Sequence, residues 1–195
     1  MITTLLFDVD GVLLIGDPWN KDLASAYNIS EEMLRPFFRD AFPACLTGQA
    51  DLKEALTTYL ERWHWPLTVE DFLAYWFRHH TINSELLAAI QQLRQQGIRC
   101  YLATQQERYR TDFIWHDLGF SHLFDGMFSS VSIGYMKSHP GFFETVVREL
   151  KGCAPAEILF WDDQELNVTT ARNTGIRAEL YRDFAHFSAY IQAAR

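Results

Sequence analysis

A short apolar run, Leu5-Leu6-Phe7, ends abruptly in Asp8-Val9-Asp10-Gly11-Val12. A strand that apolar is buried on both faces, as strands of parallel sheets are. Side chains alternate along a strand, so Asp8 and Asp10 leave its end on the same side. An ionised carboxylate is costly to bury without a partner, so the pair calls for a cation, a shared proton or a reaction. Turn formation before Gly11 is the plainer use of two Asp residues. An EF-hand loop fits less well, because its later ligands and closing Glu are missing.

The rest of the chain supports a sheet. After the turn-prone Gly16-Asp17-Pro18, helical periodicity covers residues 20–27, 30–42, 50–64 and 68–79. Ser30 before Glu31-Glu32 and Thr68 before Glu70-Asp71 are helix starts, and Pro36 predicts a kink or break. From residue 83 the rhythm changes. Helices over 85–96, 108–118, 141–151, 167–174 and 184–193 alternate with strands over 98–103, 127–131, 157–161 and 176–181. With the first strand over residues 2–9, this alternation predicts an α/β fold with a Rossmann-like parallel sheet and helices on both faces. The all-helical block is then an insertion, giving a core of residues 1–15 and 83–195 and a helical cap of 16–82.

Fifteen Phe, eight Tyr and six Trp in 195 residues supply a sizeable core without disulfide or metal staples. Cys45, Cys100 and Cys153 are far apart and lack CxxC spacing, which reads as reduced, buried thiols. The net charge of -8 argues against nucleic acid or an anionic membrane as partner. No apolar run approaches membrane-spanning length, and the broken N-terminal stretch has no basic leader. The expectation is a cytoplasmic protein, monomer or homodimer.

Ligands of open parallel sheets bind beyond the carboxyl ends of the strands. There the chain places Asp8 and Asp10, then Thr104-Gln105, then Lys137 in a loop, then Asp162-Asp163 with Asn167 a helical turn later. Each alone has an ordinary reading: a strand-end Thr, a solvated loop Lys, a pair of helix-capping Asp residues. Their joint placement along one sheet edge favours a site.

These four segments, in order, resemble the motifs of the haloacid dehalogenase-like superfamily of phosphohydrolases and span nearly the whole chain. The plan is similar to small sugar-phosphate phosphatases and the phosphatase domain of epoxide hydrolases. Two positions depart from the pattern: Gln105 stands where many relatives have Asn, and Ser138 replaces the first Pro of Lys-Pro-x-Pro-x-x-Phe. Loss of that Pro is expected to loosen the loop holding Lys137.

The resemblance implies a Mg2+-dependent phosphatase acting on a small phosphorylated metabolite. It makes Asp8 the nucleophile, Asp10 the acid and base, and Thr104, the Gln105 N–H and Lys137 the groups on the phosphoryl oxygens. It assigns Mg2+ to the carboxylates of Asp8 and Asp163 and the carbonyl of Asp10, with Asp162 and Asn167 orienting its waters. A haloacid dehalogenase needs neither Asp10 nor Asp163. A phosphonatase would use a cap lysine, Lys21 or Lys53; a phosphomutase would differ in how well the cap excludes water. A catalytically silent phosphate-binding module is the non-enzymatic alternative.

In the cap, Gly16 and Asn83 flank the expected hinges. The stretch Leu46–Asp51 either reaches the leaving group or is an ordinary turn capped by Asp51. Trp19, Phe38, Phe42, Trp63, Trp65, Trp76 and Phe77 read mainly as the cap's own core. His79-His80 and His64 read as surface and helix-end residues, not metal ligands.

Overall fold

A computed structural model describes residues 1–16 and 18–193; Asp17 of the predicted turn lies outside them. The chain starts with β1 (Thr4–Phe7), reaches a short β2 (Leu14–Ile15), and enters helices α1 (Leu23–Tyr27), α2 (Glu31–Pro36), α3 (Phe42–Leu46), α4 (Leu52–Arg62) and α5 (Val69–Phe77). It returns through β3 (Thr81–Ile82) to α6 (Ser84–Gln95), β4 (Arg99–Thr104), α7 (Arg108–Asp112), β5 (Gly126–Ser129) and the helical turn α8 (Ser130–Ile133). It closes with α9 (Pro140–Glu149), β6 (Ile158–Asp162), α10 (Glu165–Asn173), β7 (Arg177–Leu180) and α11 (Phe184–Ala193).

The five-stranded sheet has the order β5-β4-β1-β6-β7, and every pairing is parallel. Alternation along β1 divides the core. Leu5 and Phe7 pack with Leu102, Leu159 and Trp161 against α6 and α11, while Leu6 packs with Ala103 and Phe160 against α9 and α10. The connections from β1 and β6 leave in opposite directions, so their carboxyl ends frame the crevice where such sheets bind ligands.

The insertion is a helical cap with its own aromatic core. Phe37, Trp63, Trp65, Phe72 and Trp76 are buried together there, and both Trp63 and Trp65 donate their indole N–H to backbone carbonyls. Ser30 and Thr68 cap α2 and α5 as their positions predict, and Thr68 forms a reciprocal capping box with Asp71.

Several boundaries differ from the sequence expectation. Pro36 is the last residue of α2, but the chain stays helical to Leu46 through a π-helical turn, Phe37–Ala41, that follows it directly. The strand expected over 127–131 ends at Ser129, because residues 130 and 131 already begin α8. β2 and β3 are an antiparallel ribbon with Leu14 opposite Ile82 and Ile15 opposite Thr81. Two-residue strands separated by the whole cap carry no periodic signal.

Asn83, beside the ribbon, is a clamp: its amide donates to Val12 O and Tyr181 Oη while its Oδ1 caps α6. The three cysteines are free and buried. Among the described residues, no helix is long and apolar enough to cross a membrane.

Candidate active site

The β1 ladder runs one residue past the strand, since Asp8 N–H donates to Trp161 O. Asp8 is thereby fixed beside the end of β6, almost fully buried. The chain then turns at Gly11, whose φ is +79°, and a Cβ there would lie 2.3 Å from Asp163 Oδ2. Gly11 is thus required twice, by its left-handed backbone and by the carboxylate packed over it.

Lys137 reaches this crevice from the loop before α9 and is only 2% exposed. Its Nζ lies 2.6 Å from Asp8 Oδ1 and 2.6 Å from Asp162 Oδ2. Asp162 also accepts from Gln164 N–H and from the Asn167 amide. Asp8 Oδ1 accepts from Val9 N–H as well, whereas its Oδ2 meets no protein donor among the described residues.

One ligand oxygen from each of Asp8, Asp162 and Asp163 lies within 4.8 Å of the others, so three carboxylates face one ammonium. Burial pushes the Asp8 carboxyl up to about 8 against the pull of Lys137, with the neighbouring carboxylates adding to the rise. Burial also raises Asp163. Burial opposes charge on Lys137, but Asp8 and Asp162 together hold its ammonium above the usual lysine value. An all-oxygen donor set with surplus negative charge is what a hard divalent cation fits.

Thr104, the last residue of β4, is fully buried and its hydroxyl has no hydrogen-bond partner among the described residues. The Gln105 side chain accepts from Lys137 N–H at 3.3 Å. His139 caps α9 and stacks on Tyr135. Gln105 and His139 thus anchor the loop on either side of Ser138.

Asp10 stands apart from this group. Its Oδ1 accepts from Arg110 Nη2 at 2.6 Å and its Oδ2 from Gln106 Nε2 at 2.7 Å. It borders two cavities. One, of about 490 Å³, contains Asp8, Lys137 and Asp163; the other, of about 580 Å³, opens between core and cap. Asp10, Gly11, Gln105 and Gln106 divide them.

Arg110 carries no sequence signal as a site residue, and Gln106 stands out only within the altered loop Gln105-Gln106, the one feature that favours a silent module. Their nearest signal is position: both belong to the connection leaving β4. Glu107 in the same stretch is buried, caps α7 through both carboxylate oxygens, and is pushed by burial up to about 7.

The cap cavity is walled by Trp19, Phe42 and Trp76, so these aromatics serve it as well as the cap core. His79 and His80 border it too, yet each Nδ1 hydrogen-bonds a carbonyl, Tyr75 O and Phe77 O, as helix-end residues do. Asp51 caps α4 and accepts from Tyr109 Oη at 2.8 Å, and Gly48 packs on Val131. The stretch Leu46–Asp51 is therefore a turn that docks the cap onto the core, with Leu46 on the cavity wall.

The family model of haloacid dehalogenase-like hydrolases matches residues 2–175. The chain belongs to that family. A comparison with curated proteins gives no match. Among solved structures, the hydrolase is similar to a HAD family enzyme of Bacteroides thetaiotaomicron in complex with magnesium and inorganic phosphate. They share 20% identity, 96% of this chain and 99% of that one are covered, and the TM-score is 0.81. A predicted HAD-like hydrolase of Porphyromonas gingivalis gives 23% identity over 100% and 98% of the two chains, at TM-score 0.81. The L-2-haloacid dehalogenase of Xanthobacter autotrophicus gives 18% identity over 100% and 84%, at TM-score 0.68.

Proposed function

We propose that this hydrolase is a Mg2+-dependent phosphatase that cleaves small phosphate monoesters, sugar phosphates foremost, through an aspartyl phosphate. The observation that carries this reading is the buried Lys137 ammonium between Asp8 and Asp162, with Asp163 alongside. Asp8 Oδ2, which meets no donor among the described residues, is the oxygen to attack phosphorus, which splits hydrolysis into two easier displacements. Asp10, on the divide between the two cavities, protonates the leaving oxygen and then takes a proton from the incoming water.

Thr104, whose buried hydroxyl lacks a partner among the described residues, and the Gln105 N–H donate to the phosphoryl oxygens; Lys137 stabilises charge on them and on Asp8. Asp8, Asp163 and the Asp10 carbonyl would hold Mg2+, which supplies charge neutralisation for the transferring group. Asp162 and Asn167 orient this set from behind, as their mutual hydrogen bonds suit them to do. The aromatic wall of the cap cavity suits the apolar face of a sugar ring.

Halide displacement from a haloacid is the rival drawn from the dehalogenase likeness, but it leaves Asp10 and Asp163 without work. The test is phosphate release from sugar phosphates, nucleotides and p-nitrophenyl phosphate, with Mg2+ and with EDTA, beside Asp8→Asn. Metal-dependent release that vanishes in the variant is expected. No release from any of them, with magnesium bound, would overturn the reading in favour of a mutase or a silent module.

A further inference from the structure

The cap cavity contains a charge that the proposed chemistry does not use. Arg110, on α7, is 8% exposed and lines it beside Trp19, Phe42 and Trp76. One guanidinium nitrogen is committed to Asp10 Oδ1, and the group lies over the Phe77 ring with its carbon 5.6 Å from the centroid. A guanidinium carries five N–H donors in a planar fork. Nε and Nη1 have no partner among the described residues, and neither is sealed from solvent. They therefore open on the cavity that Arg110 lines.

Arg110 is 8% exposed and its Nη2 is paired with Asp10, so an anion entering the cavity would replace only a little water at the remaining donors and gain charge-assisted hydrogen bonds. The surroundings sharpen this. Trp19 and Trp76 stack at 5.0 Å and Phe42 lies 5.3 Å from Trp76, so one side of the cavity is a dry aromatic wall that weakens screening. Asp10 takes one edge of the fork and leaves the other for a planar or tetrahedral oxyanion.

We infer that Arg110 is a specificity-determining residue that binds a second anionic group, carboxylate or phosphate, on the leaving portion of the substrate. This rests on the phosphatase reading for the placement of the first phosphate among Asp8, Lys137 and Asp163. Because Asp10 separates the two cavities and touches Arg110 directly, the second anion sits just across Asp10 from the scissile group. The substrate is thus a compact ester bearing an acid or a second phosphate. A purely structural Arg110, there only to hold Asp10, would affect all phosphate esters alike.

The test is calorimetric binding of three non-hydrolysable probes in the presence of Mg2+: ethylphosphonate, phosphonoacetate and methylenediphosphonate. Wild type is expected to bind a two-anion probe at least about tenfold more tightly than ethylphosphonate, the gain of one charge-assisted contact. Phosphonoacetate against methylenediphosphonate distinguishes carboxylate from phosphate. In Arg110→Gln that ratio should collapse to near one, and Arg110→Lys should restore part of it; thermal melts confirm that both variants fold. A wild-type ratio near one, or a ratio that survives in Arg110→Gln, overturns the inference.

Phosphate release is measured alongside. Release without a two-anion preference removes Arg110 but keeps the phosphatase. A preference lost in Arg110→Gln without release from any ester keeps Arg110 but removes the phosphatase. Binding of none of the probes removes both.

Discussion

Replacing Glu107 by Gln should invert its effect on stability between acid and alkaline pH. The Glu107 carboxyl is 2% exposed, and both its oxygens accept backbone N–H bonds, from Tyr109 at 2.7 Å and Arg110 at 2.6 Å. Burial outweighs those bonds and lifts it from 4.5 to about 7. A raised carboxyl stabilises the fold fully below its unfolded value of 4.5, and that contribution is lost as pH rises through about 7. At about 1.36 kcal/mol per unit, the loss is on the order of 3 kcal/mol.

Gln mimics the neutral acid at every pH but caps α7 with one oxygen instead of two, costing about 1 kcal/mol throughout. Urea unfolding at pH 4, 5, 6, 7 and 8 should therefore find Glu107→Gln less stable than wild type by about 1 kcal/mol at pH 4, close to wild type at pH 5 and more stable by about 2 kcal/mol at pH 8. Other titrating groups cancel in the difference between the two proteins. Parallel stability curves would refute the reasoning, because they would mean that Glu107 ionises in the folded protein at no cost.

Lys137→Met leaves Asp8 and Asp162 buried without their shared cation, and a loss of about 3–5 kcal/mol is expected in urea unfolding at pH 7. Gly11→Ala puts a methyl 2.3 Å from Asp163 Oδ2 at a left-handed backbone position. It should cost about 1–2 kcal/mol from the backbone alone, and a titration with Mg2+ should show weakened binding as Asp163 is displaced. Tyr109→Phe removes the hydroxyl that donates to Asp51 across cap and core. A loss of about 0.5–1.5 kcal/mol is expected, and amide exchange over residues 46–51 should quicken.

The parallel sheet was legible because its signal is local: apolar runs ending in polar residues, punctuated by Gly97, Gly119, Gly152 and Gly175, each with positive φ at the close of a helix or turn. The order of Asp8, Lys137 and Asp162-Asp163 along the chain was legible for the same reason, since strand ends converge whenever parallel strands pair. The arrangement around Asp10 was not. Whether its carboxylate faces Lys137 or Arg110 is decided by the turn at Gly11 and by α7, which holds Arg110 against it. Arg110 lies a hundred residues from the carboxylate it meets, and nothing in the periodicity of a five-residue helix marks that meeting. The π-helical turn after Pro36 escaped for another reason: Pro predicts a break, but cannot say whether the chain leaves the helix or widens it.

The β2–β3 ribbon brings the two ends of the helical insertion side by side, Leu14 opposite Ile82 and Ile15 opposite Thr81. For the sheet, the excursion from residue 16 to residue 80 is therefore a detour that returns to its starting point. A different insertion, longer, shorter or of another architecture, would meet the sheet through the same two adjacent stems. Closing a longer excursion costs little, since loop entropy grows only logarithmically with length. The cap's share of the cavity wall, Trp19, Phe42 and Trp76, can thus be exchanged as a cassette, while Asp8, Lys137 and Asp162, all outside the excursion, keep their mutual distances and Arg110 stays with the sheet.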